Sequence, residues 1–316
     1  MAVLLLEPAG YSPRAVTTYG QLGEVWHGEV PPGRETEVAI LVIRLAHHVD
    51  GKMLDRFPHL RCLATPTTGL THVDVEACRV RGVEVVSLRD CREAIDGVTS
   101  TSELALGLII ALLRHVPASH ADVISAGRWD RDRFRSRQLS RLSLGLVGLG
   151  RIGGHVAGYA RALGMRVAAF DPFQPERRFS SLEVVRVNEL PSLAARSDIL
   201  SVHAALRDDN VNLVGREVIA ALPAHALLIN TARGALIDET AAVAALRAGR
   251  LGGIAADVLT EEHSGRGLDG SPLLTAARDG LNVILTPHIG GCTVDAMHIT
   301  EECVAERVVE RLRRGS

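Results

Sequence analysis

Three glycines, Gly148, Gly150 and Gly153, stand at G-x-G-x-x-G spacing directly after a short apolar run that ends at Val147. A stretch of helical period follows, then a second apolar run that ends in an acid, Asp171. That order suits a phosphate cradle. Gly148 permits a tight turn, Gly150 lets the backbone approach a pyrophosphate, and Gly153 lets a helix pack closely on the strand before it. The helix that begins with Arg151 and Ile152 then faces the phosphates with backbone N–H groups and a positive dipole end. Asp171 would accept hydrogen bonds from a ribose diol and repel a 2′-phosphate, which favours NAD over NADP, while Arg177 and Arg178 soften that preference.

A second set of reactive types lies downstream. N-T-A-R-G, residues 230–234, follows the apolar run 226–229. Asp257, with Glu261 and Glu262 close behind, follows 253–256, and T-P-H-I-G-G, with His288, follows 283–285. Ligands and reactive groups in parallel sheets gather at the carboxyl ends of strands. Three successive strand ends therefore offer an arginine, a carboxylate and a histidine, a set that suits hydride transfer to a 2-keto acid. Arginine supplies a planar, permanently charged fork for the carboxylate and carbonyl. The carbonyl oxygen becomes an alkoxide as hydride arrives, so it needs a proton donor that titrates near neutrality. A carboxylate beside the imidazole would hold its tautomer and raise its pKa.

The elements that must position these groups alternate in type. Residues 2–6 read as a strand, Ser12 and Pro13 cap and start a helix to about residue 22, and 38–43 is a continuous apolar strand of the kind buried on both faces. A short helix at 53–57, a strand at 60–64, a helix at 73–81 and a strand at 83–86 complete a small doubly wound α/β domain. Residues 99–115 are apolar nearly all round, which predicts a helix buried between domains or subunits. In the arm 127–141, Arg131, Arg133, Arg135 and Arg137 alternate and would share one face of an extended backbone. The arm reads as solvated and balanced by Asp130 and Asp132, with a basic strip for an anion or a partner subunit as the sharper alternative. Further strands are expected at 184–187, 199–202, 226–229, 253–256 and 283–285, helices at 190–196, 217–222 and 239–248, and a last helix at 294–313.

Composition sets bounds. The 316 residues suggest two domains, and 47% hydrophobic residues make them globular. A formal net charge of -2 gives no general attraction to nucleic acid or anionic membrane, and 3% aromatics supply no base-stacking platform. The five cysteines are widely spread with no C-x-x-C pair, which fits a reduced cytoplasmic protein. The N-terminus lacks signal-peptide features, and the longest apolar run, 104–113, is too short to span a bilayer. No His, Cys and carboxylate cluster has metal-site spacing, so no metal is expected.

The segments G-L-V-G-L-G-R-I-G, I-N-T-A-R-G-A-L-I-D, G-G-I-A-A-D-V-L-T-E-E and T-P-H-I-G-G-C-T resemble the D-isomer-specific 2-hydroxyacid dehydrogenases, a family that includes phosphoglycerate dehydrogenase and hydroxypyruvate reductase. The resemblance implies that Arg233 orients the substrate, that His288 is the acid/base and that Glu262 is its partner. It also implies that Asp257 holds the nicotinamide carboxamide, that Thr231 and Ala232 line the cofactor, and that Arg44 and the loop 67–74, with Thr68 and Gly69, face the substrate. The implied architecture is α/β: two doubly wound parallel-sheet domains, a Rossmann NAD-binding domain (98–289) inserted into a flavodoxin-like substrate domain (1–97 plus 290–316), in a cytoplasmic homodimer with the helix from Thr99 as hinge and dimer contact. An NAD-binding regulatory protein of the same fold, or a phosphite- or formate-type dehydrogenase, is the alternative. The chain departs from the family pattern at H-A-A-L-R (203–207), at Leu45, and at His263 and the loop after it, where proline is usual. It also stops soon after the last helix, so direct feedback by an amino acid is not expected.

Overall fold

Val38–Val42 is buried at every position, as a strand must be when helices cover both faces of its sheet. In the computed structural model, which describes residues 1–91, 94–260, 262 and 268–314, the chain divides into two compact units, Met1–Val98 with Cys292–Ser316, and Thr99–Gly291. The first begins with β1 (Ala2–Leu5), α1 (Pro13–Gly20), β2 (Glu24–His27), β3 (Val38–Val42), α2 (Gly51–Asp55), β4 (Cys62–Thr65), α3 (Val75–Val80) and β5 (Glu84–Ser87). All five strands are parallel, in the order β2-β1-β3-β4-β5. Short polar caps start the helices: the side chains of Ser12, Asp50 and Asp74 accept from the N–H of Ala15, Met53 and Ala77, each worth about 1 kcal/mol. One apolar layer joins Val3, Tyr19, Ile40 and Val42, and the opposite one joins Leu4, Leu41, Phe57 and Leu63.

The second unit opens with α4 (Ser100–Leu113) and α5 (Val116–Ala126). It continues through β6 (Ser143–Val147), α6 (Arg151–Ala162), β7 (Arg166–Phe170), α7 (Glu176–Ser181), β8 (Val185–Arg186), α8 (Leu190–Ala194), β9 (Ile199–Val202), α9 (Arg216–Ala221), β10 (Ala226–Asn230), α10 (Glu239–Arg247), β11 (Leu251–Ala256), α11 (Pro272–Arg278) and β12 (Val283–Leu285). Its seven parallel strands run β12-β11-β10-β9-β6-β7-β8, the doubly wound order in which the sheet reverses between β6 and β9. The last helix, α12 (Val294–Arg314), returns to the first unit, where Val304, Val308 and Leu312 enter the layer beside Tyr19. The fold class is therefore α/β with a Rossmann domain set into a flavodoxin-like one.

One face of the apolar helix packs in the core of its own unit, where Ala105, Leu108, Ile109 and Leu112 of α4 share a layer with Leu144, Val156 and Ala169 of β6, α6 and β7, and Ile110 of the same helix is 38% exposed. Exposed apolar side chains sit after it, with Ile124 of α5 71% exposed and Trp129 90% exposed. The arginine arm is not extended, because Asp132–Phe134 closes a 3-10 turn. Its charges are matched piecewise, Arg128 and Arg133 with Asp122, Arg135 with Asp132, and Arg137 with Asp198. Finally, Cys91 and Cys303 form a disulfide across a separation of 212 residues, against the expectation of reduced thiols. Only the return of α12 to the first unit brings them together, and no spacing signals it. Cys62 and Cys78 are buried thiols and Cys292 an exposed one.

Among the described residues, no single helix is long and apolar enough to cross a membrane; α4 with α5 passes that test only as a pair bent by 57°. Among the described residues, no group of three His, Cys, Asp or Glu side chains is placed to hold a metal ion.

Candidate active site

The glycine loop connects β6 to α6. Gly148 has φ +97°, and a Cβ there would lie 2.8 Å from the Ala204 nitrogen, so only glycine fits. A Cβ on Gly153 would stand 2.2 Å from the Gly148 carbonyl oxygen, which lets α6 sit directly on the turn. At Gly150 the contrary holds: a Cβ would meet no protein atom within 4 Å, and no side chain caps the N-terminus of α6 that starts there. The Asp171 carboxylate accepts from Leu149 N at 2.8 Å and Phe173 N at 3.0 Å, which ties the end of β7 to the loop. A cleft of about 380 Å³ opens beside it, lined by Gly148, Gly150, Asp171, Phe173, His203 and Arg207 among others.

Several side chains that line the cleft or brace the glycine loop have settled tasks. Arg178 donates to the carbonyls of Leu149 and Gly150 at 3.2 and 3.0 Å, so it braces the glycine loop from its own side of the chain. Arg207 lies 4.3 Å from the Phe173 ring centroid and pairs with Asp209 at 2.8 Å; this is the wall that the H-A-A-L-R departure builds. His203 accepts or donates at Ser201 Oγ, 2.9 Å away, and burial lowers its pKa to about 4, so the ring is neutral. After β10, Thr231 Oγ1 is buried without a hydrogen-bond partner among the described residues. An open cradle at Gly150, an acid at the strand end and an orphaned hydroxyl fit a dinucleotide.

The second cluster is built by β10, β11 and β12. Asn230, the last residue of β10, bridges the turn after it: its amide nitrogen donates to Arg233 O at 2.8 Å and its oxygen accepts from Ala232 N at 3.0 Å. Gly234 lies so close to the backbone of Leu259 and Thr260 that a Cβ would come within 2.1 Å of both. The N-T-A-R-G turn is thereby pressed onto the segment that carries Glu262. Burial pushes the pKa of the Arg233 guanidinium down while Glu262 pushes it up. Glu239, in the first turn of α10, fixes that segment by accepting from Thr260 N and Oγ1 at 2.8 and 2.9 Å. His288 Nδ1 then donates to Glu262 Oε1 at 3.0 Å.

His288 has φ +54°, in the left-handed region that non-glycine residues enter at a cost of about 1 kcal/mol. Asp257 holds it there. Its carboxylate, 2% exposed as a residue, accepts from Thr286 Oγ1 at 2.6 Å, Ile289 N at 2.8 Å and Gly290 N at 2.8 Å, while its carbonyl accepts from His288 N at 2.9 Å. The side chain expected to hold a carboxamide is thus engaged with the loop that presents the imidazole. Glu261 and the loop from His263 to Gly267 lie outside the described residues.

In the first unit, Thr68 and Gly69 sit in the loop after β4. Thr67 Oγ1 donates to Gly69 O at 2.9 Å, and Arg89 Nε donates to Thr68 O at 3.1 Å. These bonds occupy carbonyls, and the N–H groups of Thr68 and Gly69 have no protein acceptor among the described residues. Arg44 follows β3, where the strand-end rule expects it, but its guanidinium is gripped by Glu301 of α12, with 2.7 Å between Nη2 and Oε1.

Residues 106–290 match the family described as D-isomer specific 2-hydroxyacid dehydrogenase, NAD binding domain. The chain belongs to that family. It is 35% identical over 274 residues to D-3-phosphoglycerate dehydrogenase of Methanocaldococcus jannaschii, a match that covers 87% of this chain and 50% of the relative. It is 36% identical over 279 residues to (S)-sulfolactate dehydrogenase of Chromohalobacter salexigens, covering 88% of this chain and 84% of that one. The chain thus spans about half the length of the phosphoglycerate dehydrogenase it matches. Among solved structures, the TT0316 protein from Thermus thermophilus superposes with a TM-score of 0.81 at 30% identity, covering 99% of this chain and 97% of its own.

This 2-hydroxyacid dehydrogenase relative also uses residues that sequence reasoning passed over. Glu7 follows β1 as Arg44 follows β3, and the strand-end rule could have found it. Glu301 stands on the face of α12 that carries Ala305, Val308 and Leu312, so an acid at an apolar position was the signal. Thr286 and Glu239 act through backbone loops and left no signal beyond their polarity.

Proposed function

We propose that this member of the family is an NAD-dependent dehydrogenase that interconverts a 2-keto acid and a D-2-hydroxy acid. One observation carries the reading: the 3.0 Å bond between His288 Nδ1 and Glu262 Oε1, with Arg233 close enough to feel the same carboxylate. Bound NAD supplies or accepts the hydride. Gly148, Gly150, Gly153, Arg151 and Ile152 would hold its phosphates, Asp171 its ribose, and Thr231 and Ala232 the far end, while Asp257 presents the His288 loop. Arg233 binds the substrate carboxylate and polarises its carbonyl, and its burial makes that charge count for more than it would in water. His288 delivers the proton to the carbonyl oxygen or removes it from the hydroxyl. Glu262 keeps a proton on Nδ1 and stabilises the imidazolium, so the ring is presented in one orientation. The N–H groups of Thr68 and Gly69 offer a further grip on a carboxylate.

The same reading makes the protein a homodimer of the cytoplasm, where its nicotinamide pool lies. Support for the dimer comes from the exposed Ile124 and Trp129 on α5 and the segment after it. Substrates are small acids, with no nucleic acid or membrane involved. The test is absorbance at the reduced-nicotinamide band with NADH, and in parallel NADPH, against glyoxylate, pyruvate, hydroxypyruvate, phosphohydroxypyruvate and bulkier 2-keto acids. Oxidation of NADH in preference to NADPH by at least one acid supports the reading. NADH that binds but is oxidised by none of them contradicts it.

A further inference from the structure

The connection from β7 to β8 gives the glycine loop more than the acid at Asp171. Its helix, α7, is anchored by Phe179, which is fully buried in the layer that Val156 and Ala157 of α6 share. The residue before that anchor, Arg178, extends onto the loop. Its Nε donates to Leu149 O at 3.2 Å and its Nη2 to Gly150 O at 3.0 Å, and Gly150 O takes a second donor, Gly154 N, at 3.0 Å. The guanidinium reaches these oxygens across Gly154 of α6. A Cβ on Gly154 would collide with Arg178 Nη2 and stand 3.3 Å from Cζ, whereas the next neighbour, Leu182 Cδ1, would lie at an ordinary 3.5 Å. Gly154 is not among the residues of positive φ, so its missing side chain supplies room and not backbone freedom.

A planar trans peptide points its carbonyl and its N–H in opposite directions. Holding Leu149 O and Gly150 O therefore aims the N–H groups of Gly150 and Arg151 the other way. The loop is open at Gly150, where a Cβ would meet no protein atom within 4 Å. The N–H groups of Gly150, Ile152 and Gly153 have no protein acceptor among the described residues, and such donors at a helix start are what a pyrophosphate uses. A loop free to turn its carbonyls outward would present oxygen to an anion and lose affinity to the ordering that binding then demands. The charge of Arg178, which could have met a 2′-phosphate, is engaged by these two carbonyls.

We propose that Arg178, seated in the room that Gly154 leaves, is a positioning residue for the cofactor: by holding the carbonyls of Leu149 and Gly150 it turns the loop's N–H groups towards the pyrophosphate and sets the affinity for NAD. The proposal deepens the cofactor assignment of the dehydrogenase reading and rests on it. Gly154 belongs to the device although it lies outside the G-x-G-x-x-G spacing, since any side chain there displaces the guanidinium.

The experiment measures the Kd for NADH by fluorescence, and the Tm without NADH, for the native chain, Gly154→Ala, Arg178→Gln and the double variant. Each single variant should bind NADH about tenfold more weakly. The double variant should also lose about tenfold and not a hundredfold, because both changes remove one brace. Gly154→Ala should keep its Tm within about 2 °C of the native value or raise it, since alanine suits a helix better than glycine and the arginine tip can swing away. A merely structural brace would lower the Tm and leave the Kd within about twofold of native in both single variants, which overturns the proposal. A loss of about a hundredfold in the double variant would separate Gly154 from Arg178 and overturn it as well. Should Arg178→Gln fail to fold, Gly154→Ala alone decides, because it moves the guanidinium without removing it. Binding is read without a keto acid, so a chain that turns none over is still tested. A native chain that binds no NADH defeats the cofactor reading itself, and the loop is then read by phosphorus NMR with inorganic pyrophosphate. Line broadening in the native chain that is lost in Arg178→Gln upholds the positioning; equal broadening in both, or none in either, overturns it.

Discussion

Replacing Asp257 by asparagine separates two tasks that one residue could perform. Its carboxylate takes three donors, Thr286 Oγ1 at 2.6 Å and the N–H groups of Ile289 and Gly290 at 2.8 Å each. Asparagine keeps one oxygen and turns an N–H towards a backbone donor. At least one charge-assisted bond is lost, about 1.5–3 kcal/mol, beside a clash of donors in a buried place. The left-handed backbone at His288 then has about 1 kcal/mol to regain by relaxing. Together these are worth about 3 kcal/mol of loop order, or about a hundredfold in kcat if the reaction needs His288 as presented here. The assay pairs steady-state NADH oxidation with NADH binding followed by fluorescence. We expect kcat to fall about a hundredfold while the Kd for NADH changes by less than about threefold. A Kd that rises with little change in kcat would refute the argument and return Asp257 to the carboxamide.

Two glycines of one motif should respond in opposite ways. Gly150→Ala should keep its Tm and lose NADH affinity by about tenfold, since its Cβ enters the space a pyrophosphate needs, whereas Gly153→Ala should lose about 2 kcal/mol of stability to the contact with Gly148 O; thermal melts with and without NADH check both. His203 should make the fold acid-sensitive. Its folded pKa of about 4 lies below the usual imidazole value, so the unfolded chain binds the extra proton first: stability is full above about pH 6.5, falls as pH drops towards 4, and loses at most about 3 kcal/mol. Urea melts of the native chain and His203→Gln across that window should converge as pH falls if this is right, and stay parallel if it is wrong.

Much of the fold was legible because local chemistry and tertiary structure agree. Val38–Val42 is apolar and enters a sheet covered on both faces, and Ser12 with Pro13 starts α1 as their types require. The same pairing at Ser271 and Pro272 starts α11, which lay unread behind the weaker pattern around it. β2 escaped because Glu24–His27 is an edge strand with one buried side chain, Trp26, and no alternation to betray it. The extended reading of the arginine arm failed for a different reason: alternation is a rule about strands, and Asp132–Phe134 makes a turn.

At the site, motif spacing named the residues but not their couplings. Arg233, Glu262 and His288 could be placed at strand ends, yet the closeness of the first two depends on Gly234 meeting Leu259 and Thr260. The grip of Glu301 on Arg44 and the Cys91–Cys303 bond both arise because α12 returns to the first unit. Contacts between residues so far apart in sequence have no local signature. They follow from topology, and topology was supplied by resemblance alone.

The central claim is that His288, held by Glu262, moves the proton while the glycine loop holds NAD independently of it. The direct measurement is NADH binding and NADH oxidation on the native chain, His288→Ala and Glu262→Gln, with the keto acid that the native chain turns over best. The account predicts unchanged NADH affinity in all three, turnover abolished in His288→Ala, and turnover in Glu262→Gln lowered by about 10², since the imidazole has lost the carboxylate that orients it. Turnover that survives His288→Ala would contradict it.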